Sequence, residues 1–218
     1  MIARLFKSHR PAAALGLGCF LLLFFFSPPA FGSSKGAMEI GLSSHYAWPQ
    51  QDVADLSPGL DYGAVFHYWL TRTTSVLVGL ETVTFECPLK VDGRSKRLLF
   101  QAVMLELGVR YRPEVDFIFK PYLEAGVGYQ FWSTDPSPSF LDSRSGNSLA
   151  YFAGLGLERE FAGRFTWGLN LRYHYFPMRE NLEREVFTNP DGSYLVEKDA
   201  IREVVFVSAG FELTWRFR

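Results

Sequence analysis

The chain has 218 residues, with 22 Lys and Arg against 23 Asp and Glu. That near balance excludes a dedicated nucleic-acid binder, which would concentrate basic charge. Two cysteines, Cys19 and Cys87, are too few for a disulfide framework.

The first segment reads as an export signal. Arg4, Lys7 and Arg10 make a basic start, Ala12 to Phe26 is an unbroken apolar run, and Ser27-Pro28-Pro29 ends it. Ala30 and Gly32 are the small residues a cleavage site needs, so residues 1–32 are expected to be removed. Taking those three basic residues from 22 leaves 19 against 23 acidic groups, a net charge of −4, and Cys87 as the one remaining thiol. No later apolar run is long enough for a transmembrane helix. Membrane insertion would therefore require a closed barrel, the other architecture that satisfies its backbone in lipid.

The remainder, 33–218, alternates apolar and polar residues in eight stretches: 37–48, 60–70, 75–86, 98–111, 117–132, 148–158, 165–176 and 203–217. Period two is the signature of strands with unlike faces, and these lengths suffice to cross a bilayer at a tilt. Between them, 71–74, 112–116 and 159–164 are short connections, whereas 49–59, 87–97, 133–147 and 177–202 are long. Short turns at one rim and long loops at the other predict an all-β fold: an eight-stranded antiparallel transmembrane β-barrel, an up-and-down meander with both termini periplasmic.

Two patterns set its orientation. With the more apolar parity facing out, Gly41, Gly63, Gly79, Gly108, Gly126, Gly128, Gly154, Gly156, Gly168 and Gly210 all face in. Small residues there make room for Trp69, Phe85, Trp132 and Phe152 in a lumen barely wide enough for side chains. Aromatics collect at two levels of the outward face. Tyr46, Trp48, Tyr129, Phe131, Tyr151, Tyr173 and Tyr175 form the expected outer girdle. Tyr68, Tyr111, Trp167, Trp215 and Phe217 form the periplasmic one, with an aliphatic band between. A soluble calycin-like barrel would reverse the parity and leave glycine and glutamate outside.

Ser208, Gly210, Leu213 and Trp215 match the spacing of the C-terminal β-signal of outer-membrane proteins, although the chain continues to Arg218. The phrase PYLEAGVGYQFW, Pro121 to Trp132, is similar to a strand phrase of small outer-membrane barrels. The whole segment after the leader resembles the OmpA transmembrane domain, OmpX and OmpW. That resemblance implies a bacterial outer-membrane location, contact with outer-membrane lipid and lipopolysaccharide, and insertion by the barrel-assembly machinery. It specifies no activity, because function resides in sites and not in folds.

Inward charges form the first candidate site: Glu81, Glu106, Glu124 and Glu212 with Arg110 and Arg172. They make either a packed polar core or a gate in a narrow pore, and the excess of Glu over Arg leaves room for water, a cation or a protonated carboxyl. The second candidate is catalytic. Ser43, His45, Asp61 and His174 share the inward parity near the outer rim, and such groups could serve lipid hydrolysis or acyl transfer. The lipid A deacylase family also joins a barrel to His and Ser two apart, but in the opposite order and on a lipid-facing surface. No cofactor motif occurs, and no ligand spacing specifies a metal site.

Among the loops, 87–97 is basic, with Lys90, Arg94, Lys96 and Arg97 suited to lipopolysaccharide phosphates. The acidic loop 177–202 contains a hairpin around Pro190-Asp191-Gly192 and is expected to lengthen the last two strands into a ribbon able to meet a surface partner. The leading functional expectation is an outer-membrane barrel with a structural or surface-contact role. A narrow small-molecule path and a lipid-modifying enzyme are the alternatives.

Overall fold

The computed structural model describes residues 35–50, 56–91, 94–137, 144–177, 186–188, 194–197 and 203–217, the backbone alone at some strand tips. The barrel strands are β1 (Met38–Pro49), β2 (Ser57–Trp69), β3 (Thr74–Val91), β4 (Arg94–Tyr111), β5 (Lys120–Ser137), β6 (Arg144–Phe161), β7 (Phe165–Pro177) and β10 (Glu203–Arg216). Each pairs antiparallel with its chain neighbour, and β1 pairs with β10 to close the barrel. Closure leaves no unpaired edge.

Alternation becomes two-sidedness directly. In β1, Glu39, Gly41, His45 and Ala47 are buried, while Ile40, Leu42, Tyr46 and Trp48 are exposed. Leu105, Leu107, Leu155, Leu169 and Leu171 make an exposed aliphatic belt. A packed interior inside a greasy exterior is the arrangement lipid requires. The interior is tight enough to select glycine. A Cβ on Gly63 would stand 2.7 Å from Ser43 Oγ and 2.8 Å from Glu81 Cγ. One on Gly108 would stand 2.7 Å from both the Ala125 carbonyl oxygen and Phe152 Cζ.

At the lower rim, where β1 begins and β10 ends, the connections are tight. Thr71 Oγ1 accepts from the Thr73 and Thr74 amides at 3.1 and 3.0 Å, folding the β2–β3 turn. Ala162 and Gly163 take left-handed φ values of 49° and 72° in the β6–β7 turn.

The upper rim departs from expectation in two ways. Much of 87–97 and 133–147 is strand and not loop, since β3 reaches Val91, β4 starts at Arg94, and β4 and β5 pair as far as Arg97–Ser137. Backbone ladders need no apolar side chains, so charge ended the sequence pattern without ending the sheet. The side chains of Cys87, Lys90, Arg94, Lys96 and Arg97 lie outside the described residues. The second departure is the ribbon. β8 (Val186–Thr188) and β9 (Tyr194–Glu197) do pair, but as a separate two-stranded sheet. The last described pair of β7 and β10 is Pro177–Glu203.

A candidate site inside the barrel

The lumen is stratified. Beneath the upper rim lies an apolar layer of Phe85, Phe100, Trp132, Phe176 and Phe206, closed by Val83, Ala102, Met104 and Val204. Phe206 sits at its centre, with ring centroids 5.3 Å from Phe85 and 5.2 Å from Phe176. Most of this layer escaped the sequence reading. Inward parity marked Phe85 and Trp132, and the further signal was the unbroken run Val204-Val205-Phe206-Val207, where apolar residues occupy both parities.

Below it stand His45, Asp61 and His174. His45 and Asp61 face each other across the β1–β2 ladder. His45 Nδ1 lies 3.1 Å from Asp61 Oδ2, and a carboxylate only accepts, so Nδ1 carries the proton. His45 Nε2 is buried without a partner. His174 stacks on Phe206 at 4.4 Å and has Ser208 Oγ 3.3 Å from its Nε2.

The centre holds all six expected charges. Arg110 on β4 donates to Glu124 Oε2 from Nε and Nη2 at 3.0 and 2.8 Å, and to both oxygens of Glu212 at 2.9 and 2.8 Å. Arg172 on β7 donates from Nε to Glu124 Oε1 at 2.6 Å, and from Nη1 to Glu106 Oε2 at 3.2 Å and to Glu81 Oε1. Glu124 thus joins the two guanidiniums, one oxygen to each. The arginines are also held by rings: Tyr122 lies 4.0 Å from Arg110 Cζ and Phe152 5.0 Å from Arg172 Cζ. Gln130 turns instead to Ser148, 2.7 Å away. All six charged side chains are almost wholly buried, so they depend on one another for the solvation that water would give.

A second charged layer, absent from the sequence reading, closes the lower end. Arg112 pairs with Glu158, Arg216 pairs with Glu39 at 2.7 Å and Glu160 at 3.0 Å, and Arg112 lies over the Trp69 ring at 4.1 Å. Inward parity at strand ends was its available signal. The girdle residues stand on the outward face. Tyr46, Trp48, Tyr129, Phe131, Tyr151 and Tyr173 are exposed at upper levels, as are Tyr68, Tyr111, Trp215 and Phe217 at lower ones. Tyr175 is half-buried near Tyr151, and Trp167 is half-buried between Phe119 and Phe211.

The catalytic alternative gets little from this geometry. Ser43 lies on the His45 side of β1, but His45 Nε2 makes no hydrogen bond, so Ser43 is not paired with it; the serine beside a candidate histidine is Ser208, next to His174. His45, Asp61 and His174 are buried beneath the aromatic layer.

No protein-family model matches the sequence, and no curated protein matches it. Solved structures do. The outer membrane protein OprG of Pseudomonas aeruginosa aligns over 86% of this chain and 98% of its own, at 13% identity and a TM-score of 0.59. Neisserial surface protein A aligns over 85% of this chain and 99% of its own, at 13% identity and a TM-score of 0.53. Identity that low speaks for the fold alone. The chain is an eight-stranded, all-antiparallel β-barrel with the fold of the small outer-membrane barrels.

Proposed function

We propose that the protein is an integral outer-membrane barrel with a structural or surface-contact role and a filled, non-conducting lumen. The carrying observation is the lumen itself. An aromatic layer, a lattice of six buried charges and a lower charged layer lie in series along its axis. Water and ions moving through would have to displace all three. A bilayer location is supported by the exposed Leu and Val belt between aromatic girdles, and by an interior more polar than the exterior. Export through residues 1–32, periplasmic termini and insertion by the barrel-assembly machinery belong to the same reading. So does contact of the upper rim with lipopolysaccharide. Loop 177–202, with its β8–β9 sheet, is the part of this reading that would meet a surface partner.

Planar-bilayer recording tests the closed lumen. The folded barrel, verified by its heat-dependent gel shift, is expected to give no steady conductance. A reproducible single-channel step, altered in Glu106→Gln, would replace this reading with the narrow pore.

A further inference from the structure

The layer under the aromatic residues holds more acid and imidazole than its hydrogen bonds use. Glu81, Glu106 and His174 each offer one ligand atom to a group whose atoms all lie within 4.8 Å of one another. His45, Asp61 and Glu81 form a second such group, so Glu81 belongs to both. These residues come from β1, β2, β3, β4 and β7 and meet only because the barrel is closed.

Proximity of acids alone would mean little, but the unused atoms point to a ligand. His45 Nε2, Asp61 Oδ1, Glu81 Oε2 and His174 Nδ1 are all buried with no hydrogen-bond partner. Leaving such atoms unsatisfied costs about 1–3 kcal/mol each, more for charged groups. The charge is unbalanced too. Glu81 and Glu106 share one guanidinium, Arg172, which Glu124 also engages, while Asp61 faces the His45 imidazole.

The free nitrogens are prepared for a cation. His45 donates its Nδ1–H to Asp61 in a hydrogen bond, so in the neutral ring Nε2 presents a lone pair. His174 has Ser208 Oγ beside Nε2, an acceptor for a proton there, which leaves Nδ1 as the lone-pair nitrogen. Metal-binding histidines are oriented by just such a bond on the opposite ring nitrogen. Zinc–nitrogen and zinc–oxygen bonds of about 2.0–2.2 Å put tetrahedral ligands about 3.4 Å apart. His174 Nδ1 and Glu106 Oε1 are 4.0 Å apart, a gap that small side-chain rotations close.

We propose that the lumen binds one divalent transition-metal ion of the zinc class, held by Glu81, Glu106 and His174, with His45 supplied from the adjoining group and oriented by Asp61. Imidazole in the ligand set favours zinc, cobalt or nickel over calcium and magnesium, which take oxygen. The ion would supply the positive charge the layer lacks and satisfy three of its four free atoms, His45 Nε2, Glu81 Oε2 and His174 Nδ1. The site needs only the closed barrel and stands apart from the proposed membrane role.

Cobalt(II) is the probe. Tag-free full-length barrel is refolded in detergent with cobalt, passed through a desalting column, and checked by the gel shift. The expected result is one equivalent of cobalt per folded chain, with a visible d–d absorption typical of mixed nitrogen and oxygen ligands. Zinc should displace it, and millimolar calcium or magnesium should not. His174→Gln and His45→Gln should each weaken retention at least about tenfold. Glu39→Gln, at the lower rim, should leave it unchanged. If a histidine variant fails to fold, isosteric Glu106→Gln makes the comparison. No cobalt on folded wild-type barrel overturns the proposal. So does retention that the luminal variants do not reduce, or that calcium abolishes.

Discussion

Replacing Arg172 with methionine should cost the barrel more than replacing Glu124 with glutamine, although both residues sit at the centre of one lattice. Glu124 accepts from both arginines, yet its loss strands neither: Arg110 keeps Glu212, and Arg172 keeps Glu81 and Glu106. Losing hydrogen bonds to charged groups while one excess carboxylate disappears gives an expected penalty of about 1–3 kcal/mol. Methionine at 172 leaves Glu81 and Glu106 buried beside Asp61 with no guanidinium paired to them among the described residues, only the His174 imidazole 4.0 Å from Glu106. Stripping a buried ion pair of one member costs about 3–5 kcal/mol. The added repulsion places Arg172→Met at or above that range. Adding Glu81→Gln to Arg172→Met should recover part of the loss, because it removes one of the stranded charges. The assay is reversible urea unfolding in lipid vesicles, with chelator present so that no bound cation stands in for the guanidinium. Equal penalties, or a larger one for Glu124→Gln, would refute the view that this lumen is short of positive charge.

Two further outcomes are expected from the same assay. Gly108→Ala should destabilise by about 1–3 kcal/mol through overpacking, since its Cβ meets both a carbonyl and the Phe152 ring at 2.7 Å. Gly168→Ala, whose nearest neighbour is the Leu157 carbonyl at 3.3 Å, should cost distinctly less. Leu107→Arg, on the aliphatic belt, should cost about 2–4 kcal/mol in vesicles against about 0–1 for Trp215→Arg at the rim; equal costs would argue that this face does not meet lipid.

The barrel was legible because lipid and lumen impose opposite demands on alternate residues, and the chain records that contrast residue by residue. Leu105 and Leu107 against Glu106 and Gly108 need only a period of two to be read. The layers inside were harder to see. Arg172 and Glu81 are 91 residues apart, and their meeting depends on strand stagger, which alternation does not encode. Phe100, Phe176 and Phe206 resemble girdle aromatics in sequence and differ only in parity, which blurs in runs such as Val204 to Val207. His45, Asp61 and Glu81 lie on three strands at no motif spacing, so their convergence was invisible until the β1–β2–β3 register was known.

The long reach of the central ion pairs bears on the order of events in folding. Arg110 and Glu212 are separated by 102 residues, and β10 must seat against β1 and β7 before they can meet. Hairpins between chain neighbours close short loops and form early, whereas contacts of such separation wait for the last strand. Interactions missing from the transition state leave the folding rate almost untouched and slow the reverse reaction instead. The lattice is therefore a latch set after closure. Its contribution would register in the unfolding limb of a chevron, as lifetime in the membrane and not as speed of assembly.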